Sequence, residues 1–380
     1  MDATDDQIAA DVRTLMEAAW REPGFCVPNQ DVYPHQWLWD SCFHAVTWAA
    51  MGDARAGIEL ASTLAHQDGR GFVPHMTYWH APFLHRSFWG RPMTSVITQP
   101  PMYGHALRVI VEAGLDVPDG VVDAVAAGLT HLLVDREPTP AGLVPIIHPW
   151  ESGCDDSPRW DHARIPSEEW RDTKGSMVTA IVEGGTPFRV GSVGFAALVA
   201  WNTAEYLDIA PEPVRDRLAE ATDRVVRAIS GRWDGARRTW LDDGAGPDGG
   251  TGADDGAGAI RTLDAMVALL VDPRPEGFDE LLDPNGFAAP FGLRGVHRGE
   301  ATYEPDVYWR GSTWPQLLYL LAVAARRAGR ADVVAAITEQ FRAGAVTSGY
   351  AEHWNPETGA GLGARPQTWT GLVHVVRNWA

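Results

Sequence analysis

The connections between helical segments in this chain alternate, long after one segment and short after the next. Apolar spacing at helical period marks twelve segments: Thr4–Trp20, Leu38–Met51, Ala54–Gln67, Gln99–Ala113, Asp119–Asp135, Val190–Leu207, Pro213–Arg232, Ala259–Val271, Glu276–Leu282, Arg310–Ala328, Ala331–Ala345 and Gln367–Trp379. Thr4 and Gln7 have capping-box spacing, Gly52 stops the second segment and Asp53 caps the third. Pro100 and Pro101 suit the first turn of the fourth. No comparable set of alternating strand patterns is present. Connections after even segments are short and those after odd segments are long. In an up-and-down ring of helices every second connection lies at the same rim. All the long loops then surround one mouth, which is the arrangement of an all-α (α/α)6 barrel, or toroid. We expect one domain over 1–380, with cap loops at about 69–98, 138–187 and 283–308.

Charge narrows the function. The 380 residues carry 31 Lys+Arg and 50 Asp+Glu, a formal charge of −19. Such a chain repels phosphate backbones and anionic lipids, so neither nucleic acid nor membrane is an expected partner. No apolar run approaches the ~18 residues of a membrane span. The acidic N-terminus has no basic-then-apolar leader pattern. Cys26, Cys42 and Cys154 are scattered and odd in number, which fits a reducing cytoplasm and suggests no metal site. His35, His75, His148, His162 and His353 lack zinc-binding spacing, and no P-loop or G-x-S-x-G elbow occurs. No cofactor is expected. A homo-oligomer is compatible with the sequence. The Gly- and Asp-rich stretch from Asp242 to Ala257 does not match a twelve-residue calcium loop and reads as a connection.

Tryptophan is abundant, 17 copies against eight tyrosines, and many sit beside polar residues on the long loops. Tyr33, His35, Gln36, Trp37, Trp39 and Asp40 enter the second helix together. Aromatic faces stack on sugar rings and carboxylates bind paired hydroxyls; core packing for the tryptophans and a first-turn role for Asp40 are the plain alternatives. The loop before the sixth helix holds Glu151, Asp155, Asp156 and Asp161 within eleven residues, interleaved with Trp150 and Trp160. Crowded like charges raise one another's pKa, which keeps a carboxylic acid protonated near neutrality. The alternative is a solvated acidic loop. The last long loop sets Glu352 among Tyr350, His353 and Trp354, where it serves as a base or merely a surface anion. Thr98 and Gln99 open the fourth helix. Arg189 offers a fork suited to a carboxylate, and Tyr308, Trp309, Arg310 and Trp314 open the tenth helix, where Trp309 and Arg310 are equally well read as core and ion pair. Two carboxylates far apart in sequence, brought to one aromatic-lined mouth, form the constellation that glycoside hydrolysis needs.

The segments around Trp39-Asp40-Ser41, Thr98-Gln99-Pro100-Pro101, Ser152 to Arg159, Tyr308-Trp309-Arg310-Gly311 and Glu352 to Gly359 resemble, in order, those of glycoside hydrolase family 63. Family 37 trehalases share an acid loop of this type. The resemblance implies an (α/α)6 barrel and inverting hydrolysis of an α-glycosidic bond without a metal. It places the general acid on Asp155, not Asp156 or Asp161, and the general base on Glu352. Within the family, the likeness is to small bacterial glucosylglycerate and mannosylglycerate hydrolases. It implies sugar-pocket roles for Tyr33, Trp37, Trp39, Asp40, Gln99, Tyr308 and Trp314, a place near the base for Gln367, and a glycerate-side place for Arg189. The expected substrate is a small α-glucoside or α-mannoside, glucosylglycerate among the candidates. The alternatives are a neutral disaccharide such as trehalose, a sugar epimerase or isomerase using His75 or His353, and a non-catalytic sugar-binding protein.

Overall fold

The computed structural model describes residues 4–164, 168–243 and 260–379. The described chain is mainly helical, and its strands are two-residue pairs at the loop bases. The helices are α1 Asp5–Ala19, α2 Leu38–Ala50, α3 Arg55–Leu64, α4 Arg86–Trp89, α5 Tyr103–Glu112, α6 Val121–Thr130, α7 Trp170–Val182, α8 Val193–Leu207, α9 Glu212–Ser230, α10 Pro275–Leu282, α11 Pro315–Arg327, α12 Ala331–Ser348 and α13 Leu372–Val376. The expected helix starts are met in part. Thr4 Oγ1 accepts from Gln7 N, but Gln7 Nε2 donates to Asp11 and leaves the box half-formed. Asp53 Oδ1 accepts from Arg55 N at 3.0 Å, one residue before the α3 N-cap Ala54, and Pro100 and Pro101 precede α5, whose N-cap is Met102.

Burial sorts these helices into two layers. In α2 every residue from Leu38 to Ala49 is buried, and in α11 every residue from Pro315 to Ala325. A helix buried all round belongs inside. In α9 only Leu218, Ala221, Thr222, Val225 and Ile229 are buried, one stripe at helical spacing. Helix α2 packs on α5, α5 on α8, and α8 on the 3-10 helix Ala265–Leu270. That 3-10 helix packs on α11, α11 on α13, and α13 returns to α2. Outside this cycle, α3, α9 and α12 pack on α2, α8 and α11, α6 lies against α5 and α8, α1 against α13, and α10 against the 3-10 helix. The six inner elements correspond to the even-numbered segments of the sequence reading.

Three differences stand out. The eighth expected helix is only the 3-10 turn Ala265–Leu270; its fully apolar run is buried, and its C-cap Val271 stands two residues before Pro273. The twelfth is a 3-10 turn, Thr368–Gly371, followed by the short α13. The cap stretch 138–187, expected as loop, contains α7, which packs on α4. The Gly- and Asp-rich connection lies, from 244 to 257, outside the described residues. No helix is long and apolar enough to cross a membrane among the described residues.

Candidate active site

A cavity opens where the long connections converge. Tyr33, Trp37, Trp39, Asp40, Gln99, Asp155, Tyr308, Glu352 and Gln367 line it, with Pro28, Gly153, Trp309 and Trp369. All lie on connections leading into inner helices or in the first turns of those elements. Short pairings hold these connections. Gln36–Trp37 runs antiparallel to Met76–Thr77, and His353–Trp354 to Gly361–Leu362, with Thr313 bridging Trp354.

Asp155 follows the 3-10 helix Pro149–Ser152 and Gly153. Gly153 has φ +73°, and a Cβ there would sit 2.5 Å from the Trp39 ring. Only glycine lets the loop cross that indole. Burial pushes the Asp155 carboxyl up to about 8, against the pull of Lys174, with Asp156, Glu352 and Asp40 adding to the rise. Among the described residues none donates a hydrogen bond to it. Such a carboxyl is a proton donor near neutrality.

Glu352 is held differently. Its Oε1 accepts from the Tyr33 hydroxyl at 3.0 Å and its Oε2 from Ala364 N at 2.8 Å. Its backbone carbonyl accepts from Trp369 Nε1 at 2.9 Å. Gly363, at φ +68°, leaves room for this carboxylate, since a Cβ would lie 2.3 Å from Oε2. Burial raises the Glu352 pKa, while the Ala364 and Tyr33 hydrogen bonds oppose the rise. These two hydrogen bonds favour the charged form that a base requires, against the burial that disfavours it. Asp40 is pushed by burial to about 7, with His44 opposing.

Two expected residues lie elsewhere. Arg189 is exposed and donates through Nη2 to the carbonyls of Glu137 and Pro138 at 2.7 and 3.2 Å, so its fork is engaged away from the cavity. Trp314 is buried behind the wall. Trp309 stacks on it at 3.7 Å and, with φ +57°, turns its own ring to the cavity. Trp309, read from sequence as equally well core, is thus a lining residue. No sequence pattern points to Lys174, on the unforeseen α7; its Nζ lies 2.5 Å from Asp156 Oδ1. A more open depression shares Tyr308 with the cavity and adds Asp156, Arg164, Trp170, Glu304 and Arg310. Arg310 and Arg164 both pair with Asp161 there.

Neither histidine considered as a C–H base lines the cavity. His75 is buried against Ser95 Oγ at 2.6 Å and burial lowers it to about 3. His353 stacks on Trp314 and burial lowers it to about 4. One group of described residues has metal-ligand geometry, Cys26, His44 and Glu59, with ligand atoms within 4.8 Å of one another. His44 already bonds Glu59 at 2.8 Å and Thr368 at 2.6 Å, so these atoms are satisfied without an ion.

Comparison with known proteins identifies the family. The Thermus thermophilus mannosylglycerate hydrolase is 28% identical, covering 92% of this chain and 95% of the relative. The Mycolicibacterium hassiacum glucosylglycerate hydrolase is 24% identical, covering 92% of each. The crystal structure of GH63 mannosylglycerate hydrolase from Thermus thermophilus in complex with Tris and D-glycerate superposes with a TM-score of 0.82 at 25% identity, over 97% of this chain and 99% of that one. The pattern of the mannosylglycerate hydrolase MGH1-like glycoside hydrolase domain matches residues 33–370. The chain therefore belongs to that family and is a glycoside hydrolase.

Proposed function

We propose that this protein is an inverting α-glycosidase acting on a small α-glycosylglycerate, with glucose or mannose as the sugar. The observation that carries the reading is the convergence of Asp155 and Glu352 on one cavity lined by Trp37, Trp39, Trp309 and Trp369. The closed cycle of inner helices wrapped by outer ones supports an (α/α)6 toroid. The relatives' names supply the glycerate aglycone.

Asp155-H protonates the glycosidic oxygen as the C1–O bond breaks. Glu352 takes a proton from water as that water attacks C1 from the opposite face. Asp40, Gln99 and Gln367 hold sugar hydroxyls. Tyr308 stands where the cavity meets the depression holding Arg164 and Arg310, on the leaving-group side. Tyr33 holds the base.

The test is a comparison of kcat/KM across mannosylglycerate, glucosylglycerate, glucosylglycerol, trehalose, kojibiose and nigerose. One or both glycosylglycerates should lead the panel. Faster cleavage of a neutral disaccharide would overturn the glycerate assignment, and no turnover of any would overturn the hydrolytic one.

A further inference from the structure

We propose that Glu151 is a positioning residue that locks the loop carrying Asp155 onto the helical frame; this rests on the acid role given to Asp155 above. Glu151 has 0% exposure and sits in the 3-10 helix that ends at Ser152. Four donors reach its two oxygens. Arg136 Nη1 lies 2.7 Å from Oε2 and Nη2 3.1 Å from Oε1. Ile147 N donates to Oε2 at 2.9 Å and Thr98 N to Oε1 at 3.2 Å. A buried carboxylate saturated by charge-assisted and backbone hydrogen bonds has one position, and leaving its partners unmatched is costly.

Each partner belongs to a fixed part of the molecule. Arg136 follows the helical turn His131–Asp135 that extends α6, and its Nη1 also donates to Pro145 O at 3.0 Å. Thr98 precedes Gln99 of the cavity wall, and Pro100 and Pro101 carry that strand of backbone into α5. The acid loop is thereby tied to the wall that grips the sugar. From Glu151 the chain runs through Gly153, pressed on Trp39, to Asp155. None of the described residues hydrogen-bonds the Asp155 carboxyl, so its placement comes from this backbone. An error of about 1 Å in placing a reacting group costs on the order of 100-fold in rate.

The lock is distinguishable from general support by leaving group. Cleavage of a glycoside needs the Asp155 proton on the departing oxygen. Cleavage of an α-glycosyl fluoride breaks C1–F and releases fluoride without a proton, while Glu352 still takes one from the attacking water. Glu151→Gln keeps the shape, but its amide group meets at least one donor head-on. The variant should lose about 30-fold or more in kcat/KM on the glycosylglycerate, and less than about 3-fold on the matching α-glucosyl or α-mannosyl fluoride. Arg136→Lys keeps the charge but not the fork, and should show the same split more weakly; it carries the test if Glu151→Gln fails to fold. Equal losses on both substrates, or no loss on the glycoside, would overturn the role of Glu151. Wild-type enzyme that cleaves neither would overturn the hydrolytic reading instead, and this role with it.

Discussion

The hydroxyl of Tyr33 donates to Oε1 of Glu352 at 3.0 Å, across 319 residues of sequence. Burial, together with the Glu352 charge, holds the Tyr33 phenol well above its ordinary range, so it remains a donor throughout the working pH range. The bond favours the ionised form of Glu352. Tyr33→Phe removes the one side-chain donor to its carboxylate, leaving the backbone N–H of Ala364, and should raise its pKa. A hydrogen bond to a charged group is worth about 1.5–3 kcal/mol, so the acidic limb of kcat should move up by about one to two pH units. An unmoved limb would show that Tyr33 does not tune the base.

The alkaline limb reports the other carboxyl. Asp155 lies near 8 through burial, so kcat/KM should fall as pH rises through that value and the proton is lost. Asp155→Asn should lose about 100- to 10,000-fold on glycosides. Its stability should change in the opposite sense. With a folded pKa above the unfolded value near 3.8, the native state binds more protons than the unfolded chain between about pH 4 and 8, so stability declines across that window as pH rises. The Asn variant lacks this decline. Its Tm should exceed that of the wild type at pH 8 and approach it at pH 4.

Lys174 opposes the rise in the Asp155 pKa while pairing with Asp156. Lys174→Met removes a cation and leaves Asp156 uncompensated, and both effects raise Asp155 further. The alkaline limb should shift to higher pH, read from the pH dependence of kcat/KM. A downward shift would mean that Lys174 acts on the site in another way.

Gly363 gives a steric test of the base. In Gly363→Ala the positive φ costs about 1–2 kcal/mol, and the new methyl overlaps the Glu352 carboxylate. The fold should survive while kcat drops about 100-fold and KM moves far less. An unchanged kcat would show that the observed Glu352 position is not the working one.

Much of this architecture is legible in the sequence because it depends on burial pattern. Apolar periodicity located the helices, and the structure then separates inner ones such as α2 and α11, buried along their length, from outer ones such as α9, buried along one stripe. Loop length then told which rim holds the chemistry. What stayed hidden depends on contacts between distant residues. Helix α7 buries Thr173 and Lys174 beside Trp170, Met177 and Val178, so polar groups interrupt its apolar face and blur the period. Trp314 and Trp309 are interchangeable by composition; the positive φ of Trp309 decides which ring faces the cavity. Arg189 has the chemistry to read a carboxylate, yet two backbone carbonyls hold it. Glu151 reads as one more acid in an acidic loop until its four donors are seen.

The pairing of Asp155 with Glu352 as acid and base requires water to arrive on the face opposite the departing oxygen. Proton NMR of the first sugar released from an α-glycosylglycerate, recorded before mutarotation, reads this directly. The β-anomer should appear first and decay towards equilibrium. An initial α-anomer would mean a double displacement and would contradict the direct attack by water that Glu352 is assigned to drive.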